Sequence, residues 1–349
     1  MFTALTLAPP KGALMSRTTP AALWNRLYRA DALLTATGTV LVAALGATLV
    51  GLWLDPRTIA GAPAWLKPAK FAASGAIYCF TLAWILGWLP EWPRLRRFAS
   101  RVTAGVFVLE VGLVALQAAR GTTSHFNMAT LFDMVVFNVM GAAIVLQTVT
   151  MIPVVVALWK QRFTDEALGW ALRLGLLIGI VGSFAGGLMT RPTPDQLDEL
   201  QRTGRMTVSG AHTVGAPDGG PGLPVTGWSR THGDLRIAHF VGLHAMQILP
   251  AFALLPVVRR RQSRERARLV LVAAASYAAL FLLLLAQALR GQPLVAPDAL
   301  TLGLAAVWMM GTVALGALAL RASRRGRTSL SGSPDIRRSS LPRRGPAVP

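Results

Sequence analysis

Leu66-Lys67-Pro68-Ala69-Lys70-Phe71 and Leu235-Arg236-Ile237-Ala238-His239-Phe240 share one pattern: basic, any residue, Ala, basic or His, Phe. They stand 169 residues apart, and each opens a long apolar run. Gln117-Ala118-Ala119-Arg120-Gly121 and Gln287-Ala288-Leu289-Arg290-Gly291 recur at an offset of 170, each closing the next run. Gly51-Leu52 through Asp55-Pro56-Arg57-Thr58 resembles Gly187-Leu188 through Arg191-Pro192-Thr193, and Thr130-Leu131 resembles Thr301-Leu302. The order and near-constant spacing of these matches read as an internal duplication. The offset jumps only across 190–234, so that segment holds the residues its counterpart lacks.

Outward from these motifs, eight apolar segments approach the roughly 20 helical residues that a hydrocarbon core requires. They are 32–54, 70–89, 102–119, 130–158, 168–189, 236–257, 268–289 and 299–320. Charged residues make up 14% of the chain and hydrophobic residues 53%, with a mean hydropathy of +0.49, values that belong to the membrane class. The expected fold is an all-α integral membrane protein of about eight transmembrane helices in two four-helix units, 32–158 and 168–320. An even number of spans per unit inserts both in one orientation, which makes a parallel repeat.

A net charge of +20 fits a nucleic-acid binder by itself, but the basic residues lie between apolar runs and read as topology signals. The N-terminal segment 1–31, the connections 90–101, 159–167 and 258–268, and the tail 321–349 hold 24 Lys and Arg against 10 in the other connections. That asymmetry predicts cytoplasmic termini; the short Met1–Pro9 stretch, followed by polar, proline-bearing and basic residues through Arg29, predicts no cleaved signal peptide, and Arg- and Ala-rich usage points to a multi-pass protein of a bacterial plasma membrane. The Arg/Ser/Gly/Pro-rich tail is expected to be disordered against membrane lipids. The external loop 190–234 reads as a flexible insertion, with a lid as the alternative. The glycines at 175, 179, 182 and 186 mark a helix-packing face. A single cysteine, Cys79, excludes an internal disulfide or a cysteine-ligated zinc.

The repeated polar residues gather at the external ends of four spans. Lys67 and Lys70, Arg236 and His239, Gln117 and Arg120, and Gln287 and Arg290 are i, i+3 pairs, each sharing a helix face. Deeper, Glu110 lies one heptad before Gln117, near mid-membrane, where an ionisable group is costly. Asp133 opens the fourth span within reach of Arg120 or Lys70. His125 and Asn127 precede that span, and His244 follows His239 by five residues, about 140° around the helix. Together these thirteen residues form a candidate ligand-binding site. Arginine and lysine in excess over acids point to a small anionic molecule, a lipid head group or a cofactor.

A redox alternative uses His239, His244 or His125 as ligands to a b-type haem, with the basic residues on its propionates. In its eight spans and four-plus-four duplication the architecture is similar to that of haem A synthases. That family places bundle histidines in both halves, whereas spans two and eight here contain none. A third alternative is a scaffold or assembly factor. No nucleotide-binding loop, zinc-protease helix or nucleophile elbow is present, and no catalytic residue or firm metal ligand is assigned.

Overall fold

The computed structural model describes residues 19–330 and is almost entirely helical. In chain order it comprises α1 (Pro20–Ala30), α2 (Ala32–Leu54), β1 (Thr58–Ile59), β2 (Ala62–Pro63), α3 (Leu66–Leu86), α4 (Pro93–Ala119) and α5 (Leu131–Lys160). There follow α6 (Glu166–Gly187), α7 (Pro194–Thr203), β3 (Thr213–Val214), β4 (Gly233–Asp234), α8 (Leu235–Leu254), α9 (Pro256–Arg259), α10 (Ser263–Leu289) and α11 (Ala299–Leu330). Eight of these helices, α2 to α6, α8, α10 and α11, are long and apolar enough to cross a membrane, which makes this a multi-pass membrane protein.

Several boundaries differ from the hydropathy reading, because caps rather than apolar content end a helix. Helix α3 starts at Leu66, which draws both Lys67 and Lys70 into its opening turns. Helix α4 starts at Pro93, since proline at the first helical position gives up an amide that would have no partner there. Helix α11 runs past residue 320 to Leu330; the remainder of the tail expected to be disordered lies outside the described residues. An unexpected helix, α1, is capped by Thr19 and bears Leu23, Trp24 and Tyr28 as exposed apolar residues beside Arg26 and Arg29. That composition suits a helix lying in the membrane interface.

The spans pack in a regular order. Helix α2 packs on α3 and α4, α3 on α4, and α4 on α5; likewise α6 packs on α8 and α10, α8 on α10, and α10 on α11. Contact between α5 and α6 links the two sets, and one apolar core runs from Leu41, Ala76 and Val111 through Met151 to Leu172, Leu176 and Met246. At one end of the bundle Trp84 meets Trp88, Trp159 meets Trp170, and Lys160 lies over Trp92. Aromatic rings concentrate at membrane interfaces in this way. Arg173, inside α6, staples this end by donating to the Leu158 and Gln161 carbonyls at 2.9 and 2.8 Å, among the rings of Trp159, Phe163 and Trp170. The opposite end, called the loop side below, carries the 188–234 segment.

The C-termini of α4 and α10 are built alike. Gly121 and Gly291 have φ of +75° and +73°, and their amides return to the carbonyls of Ala118 and Ala288 at 3.0 and 2.9 Å. The next amides reach the Gln117 and Gln287 carbonyls at 3.0 and 3.2 Å, completing the left-handed glycine cap. Both glutamine side chains then donate six residues forward, to the carbonyls of Thr123 and Pro293. At the starts of the following helices, Thr130 caps α5 and bonds Asp133, whereas Asp298 caps α11 and bonds Thr301. Thr130 therefore takes the place of Asp298 and not of Thr301, one turn away from the sequence match.

The 188–234 segment is folded. Phe126 and Met128 exchange backbone hydrogen bonds with Ser209 and Thr207, Gly210 bonds Gln196, and β3 pairs with β4. Lys70 donates to the Thr226 carbonyl at 3.1 Å and Arg236 to the Gly227 carbonyl at 2.6 Å. A flexible insertion would leave these backbone groups to water; instead both sets of spans hold it down as a cover.

Among the described glycines, the closest approach of two helix backbones joins α6 to α8. A Cβ on Gly182 would sit 2.6 Å from Gly242 Cα, and one on Gly242 would sit 2.5 Å from Gly182 Cα. Either Gly182→Ala or Gly242→Ala should therefore push the helices apart and destabilise by about 1–3 kcal/mol. Thermal unfolding in detergent would register this loss, with Gly187→Ala, whose Cβ meets nothing within 4 Å, as the unaffected control.

Candidate functional site

The thirteen polar residues separate into two kinds of place. Gln117, Arg120 and Asp133 form a closed network between α4 and α5: Gln117 donates to Asp133 at 2.8 Å, Arg120 donates to Asp133 at 2.5 Å and to Gln117, and Arg120 covers the Phe132 ring. Asn127 is consumed locally, donating to Thr122 and Thr123 and accepting from the Ala129 amide. Arg290 pairs with Asp298 and Thr301, and Gln287 with Pro293, at the α10–α11 junction. These groups lock helix ends and leave few donors over.

The remaining residues converge on the loop side between α3, α4 and α8, beneath the cover. Arg236, in the first turn of α8, forks onto the buried Asp234 at 2.9 and 2.5 Å. Asp234 also accepts from the Ser229 and Arg236 amides, so that pair is satisfied internally. His239, one turn on, sets its Nδ1 2.7 Å from the Gly182 carbonyl. A carbonyl only accepts, so Nδ1 carries the proton and Nε2 presents a lone pair. Gly186 leaves space for that ring, since a Cβ there would lie 2.8 Å from it. His244 lies tilted against Phe240 with ring centroids 4.2 Å apart, around the helix from His239.

Two loop histidines complete the group. His125 rests its edge on Phe71 and sets Nδ1 3.1 Å from Ser124 Oγ. His212, which the motif comparison left out of the site, binds Asp218 at 2.6 Å and packs on Phe126, a residue held at φ +62° between both imidazoles. Its position inside the long loop gave no periodic signal; only the folding of the cover brings it here. Burial, then the charge of Lys67 and the nearby His212 and His239, hold His125 well below the ordinary imidazole value of 6.5. Burial also lowers His212, which Asp218 opposes and Lys67 and Arg236 reinforce. Asp218, raised by burial, is brought below the usual carboxylate range by its bonds from His212 and Thr213.

Two charged groups at this site remain without a hydrogen bond among the described residues. Lys67 sits in the first turn of α3, a helix start with neither a side-chain cap nor an acidic residue. Glu110 is 1% exposed, and both of its carboxylate oxygens lack partners. Lys67 is the charged neighbour that bears on Glu110, although no direct ion pair joins them. Among the described residues no group of three or more His, Cys, Asp or Glu side chains is placed to hold a metal ion. No family model, curated protein or solved structure matches this chain.

The folded state keeps both loop imidazoles neutral at pH values where the unfolded chain would protonate them. Stability is therefore full above the unfolded imidazole value and falls as pH drops through 6.5 toward the folded values. The thermal midpoint in detergent should fall between about pH 7.5 and about pH 5, and a His125→Gln, His212→Gln double variant should flatten that slope.

Proposed function

We propose that the loop-side site binds an anionic small molecule or lipid head group, with Lys67 as the principal cation and His125, His212 and His239 as neutral hydrogen-bonding partners. The observation that carries this reading is the unpaired Lys67 in the first turn of α3. The positive end of a helix dipole disfavours a cation there, and α3 offers no acid to offset it. Helix α8 meets the same difficulty with Asp234, which neutralises Arg236. At α3 neither Asp218 nor Glu110, the carboxylates whose charge reaches Lys67, forms an ion pair with it among the described residues, so its hydrogen-bonding positions are open to an anion from outside the chain. Phosphate and carboxylate both suit an ammonium beside free helix amides.

The charge asymmetry of the connections supports an orientation with the loop side external and the termini cytoplasmic, in a bacterial plasma membrane. The matched packing order and the matched caps at Gly121 and Gly291 support descent of the two units from one duplicated four-helix unit. A second reading rests on His239: the Gly182 carbonyl accepts from Nδ1 and so fixes the tautomer and orients the ring with Nε2 free to ligate, which favours b-type haem. Reduced-minus-oxidised absorption spectra of protein expressed with ample haem test it, since a haem-bearing protein would lose its Soret band in His239→Ala.

The anion reading is tested by thermal unfolding of purified protein with inorganic phosphate or phosphatidylglycerol. Ligand at about 100 times its Kd should stabilise by about 2.7 kcal/mol, and Lys67→Gln should abolish the gain. Stabilisation by phosphatidylglycerol alone would identify a head group held together with its lipid, and stabilisation by both would identify the phosphate itself. Equal responses from wild type and Lys67→Gln would sink the reading.

A further inference from the structure

Helix α4 carries a buried polar stripe along its whole length. Ser100, Thr103, Glu110 and Gln117 fall on one face by heptad spacing, and each is 3% exposed or less. From Ser100 to Gln117 the helix rises about 25 Å, close to the thickness of a hydrocarbon core. Gln117 is spoken for by Asp133, and Ser100 donates to Asp31 Oδ1 at 2.8 Å, at the tryptophan-rich end. Between them the groups are unsatisfied: both Glu110 oxygens and Thr103 Oγ1 are buried without partners.

The stripe is interrupted at Phe107, and neighbouring helices fill that gap. Tyr78 of α3 lies against Phe107 with ring centroids 4.9 Å apart, and Gln147 of α5 donates to Tyr78 Oη at 3.2 Å. Gln147 Oε1 is itself buried and unpartnered. Counted down from the loop side, helix rise places Glu110 at about 14 Å, Tyr78 at about 18 Å, and Gln147 and Thr103 at about 24 Å. Leaving a buried polar atom without a partner costs about 1–3 kcal/mol, and four such atoms, on Thr103, Glu110 and Gln147, fall on these facing helices α4 and α5. An intramembrane carboxylate in such a file is the usual material of a proton relay.

We propose that the first unit conducts protons across the membrane along α4, with Glu110 as the carrier. A proton enters past Asp31 and Ser100, passes the Thr103, Gln147 and Tyr78 groups, and converts the Glu110 carboxylate to the acid. It leaves toward the loop side, where Lys67 is the charged neighbour of Glu110. One proton is taken up and one released per cycle, and no other bond changes. The path does not depend on an anion occupying the loop-side site.

The full chain, reconstituted in liposomes with a potassium gradient, would be given a membrane potential with valinomycin while an internal pH dye is followed. Wild type should acidify the lumen faster than protein-free liposomes when the interior is negative. Glu110→Gln should fall to the protein-free rate, and Tyr78→Phe, which keeps the ring and removes the hydroxyl, should slow the flux. Should Glu110→Gln fail to accumulate, Thr103→Val and Tyr78→Phe carry the test. Wild-type flux equal to protein-free liposomes, with or without inorganic phosphate, would overturn the proposal, as would full flux in Glu110→Gln or, failing that variant, in both others. Phosphate binding by the same preparation, measured through Lys67→Gln, is scored separately, so the two readings fail independently.

Discussion

The approach of α6 to α8 at Gly182 and Gly242 governs the second set of spans and the site above it. In lipid, apolar side chains gain little by leaving one apolar surface for another, so close backbone packing has to hold helices together. With no side chain on either glycine, the two backbones meet directly, and a Cβ on Gly175 would lie 2.8 Å from the Ala245 carbonyl oxygen. The same proximity brings the Gly182 carbonyl to His239 and lets its ring lie over Gly186. Packing and imidazole orientation are thus one event. A bulkier residue at position 182 would separate the helices and also release the proton position on His239.

Much of this organisation was legible in the sequence because membrane insertion imposes simple rules. Length and hydropathy yielded eight spans, and the glycines at 175, 179, 182 and 186 pointed to a packed face, which Gly175 and Gly182 provide against α8. What hydropathy missed was settled by local hydrogen bonding. The amphipathic α1 has too short an apolar stripe to register in a window built for spans. The starts of α3 and α4 are set by proline and by backbone geometry. The cover over 188–234 is rich in Gly and Pro and reads as a flexible insertion, yet it is ordered by backbone pairing with 126–128 and by contacts from Lys70 and Arg236, none of which leaves a periodic trace.

The candidate site was half legible for a related reason. Matching residue types singled out Lys67, Arg236 and His239 at the starts of two spans, and depth singled out Glu110, but residue type does not reveal whether a charge is already satisfied. Arg57, Arg120, Arg236 and Arg290 each hold an aspartate, at positions 55, 133, 234 and 298. A planar guanidinium pairs readily with a carboxylate while its remaining donors reach backbone carbonyls, as Arg57 does at Ala119 and Arg236 at Gly227. These arginines work as clamps on helix ends, and their charge is cancelled where it stands.

The lysines differ because an ammonium is a point charge on a flexible stem, which fixes no planar partner and is easily left free for an incoming anion. Lys70 is already turned onto the cover through Thr226. Lys67 makes no hydrogen bond among the described residues, and Glu110, the carboxylate on which its charge bears, lacks one as well. A stable ion pair between them would have quenched both and left a structural bridge. Unpaired, they leave a positive site at the start of α3 and a buried carboxylate within α4. Separation without pairing is what allows either group to respond to something arriving from outside the chain.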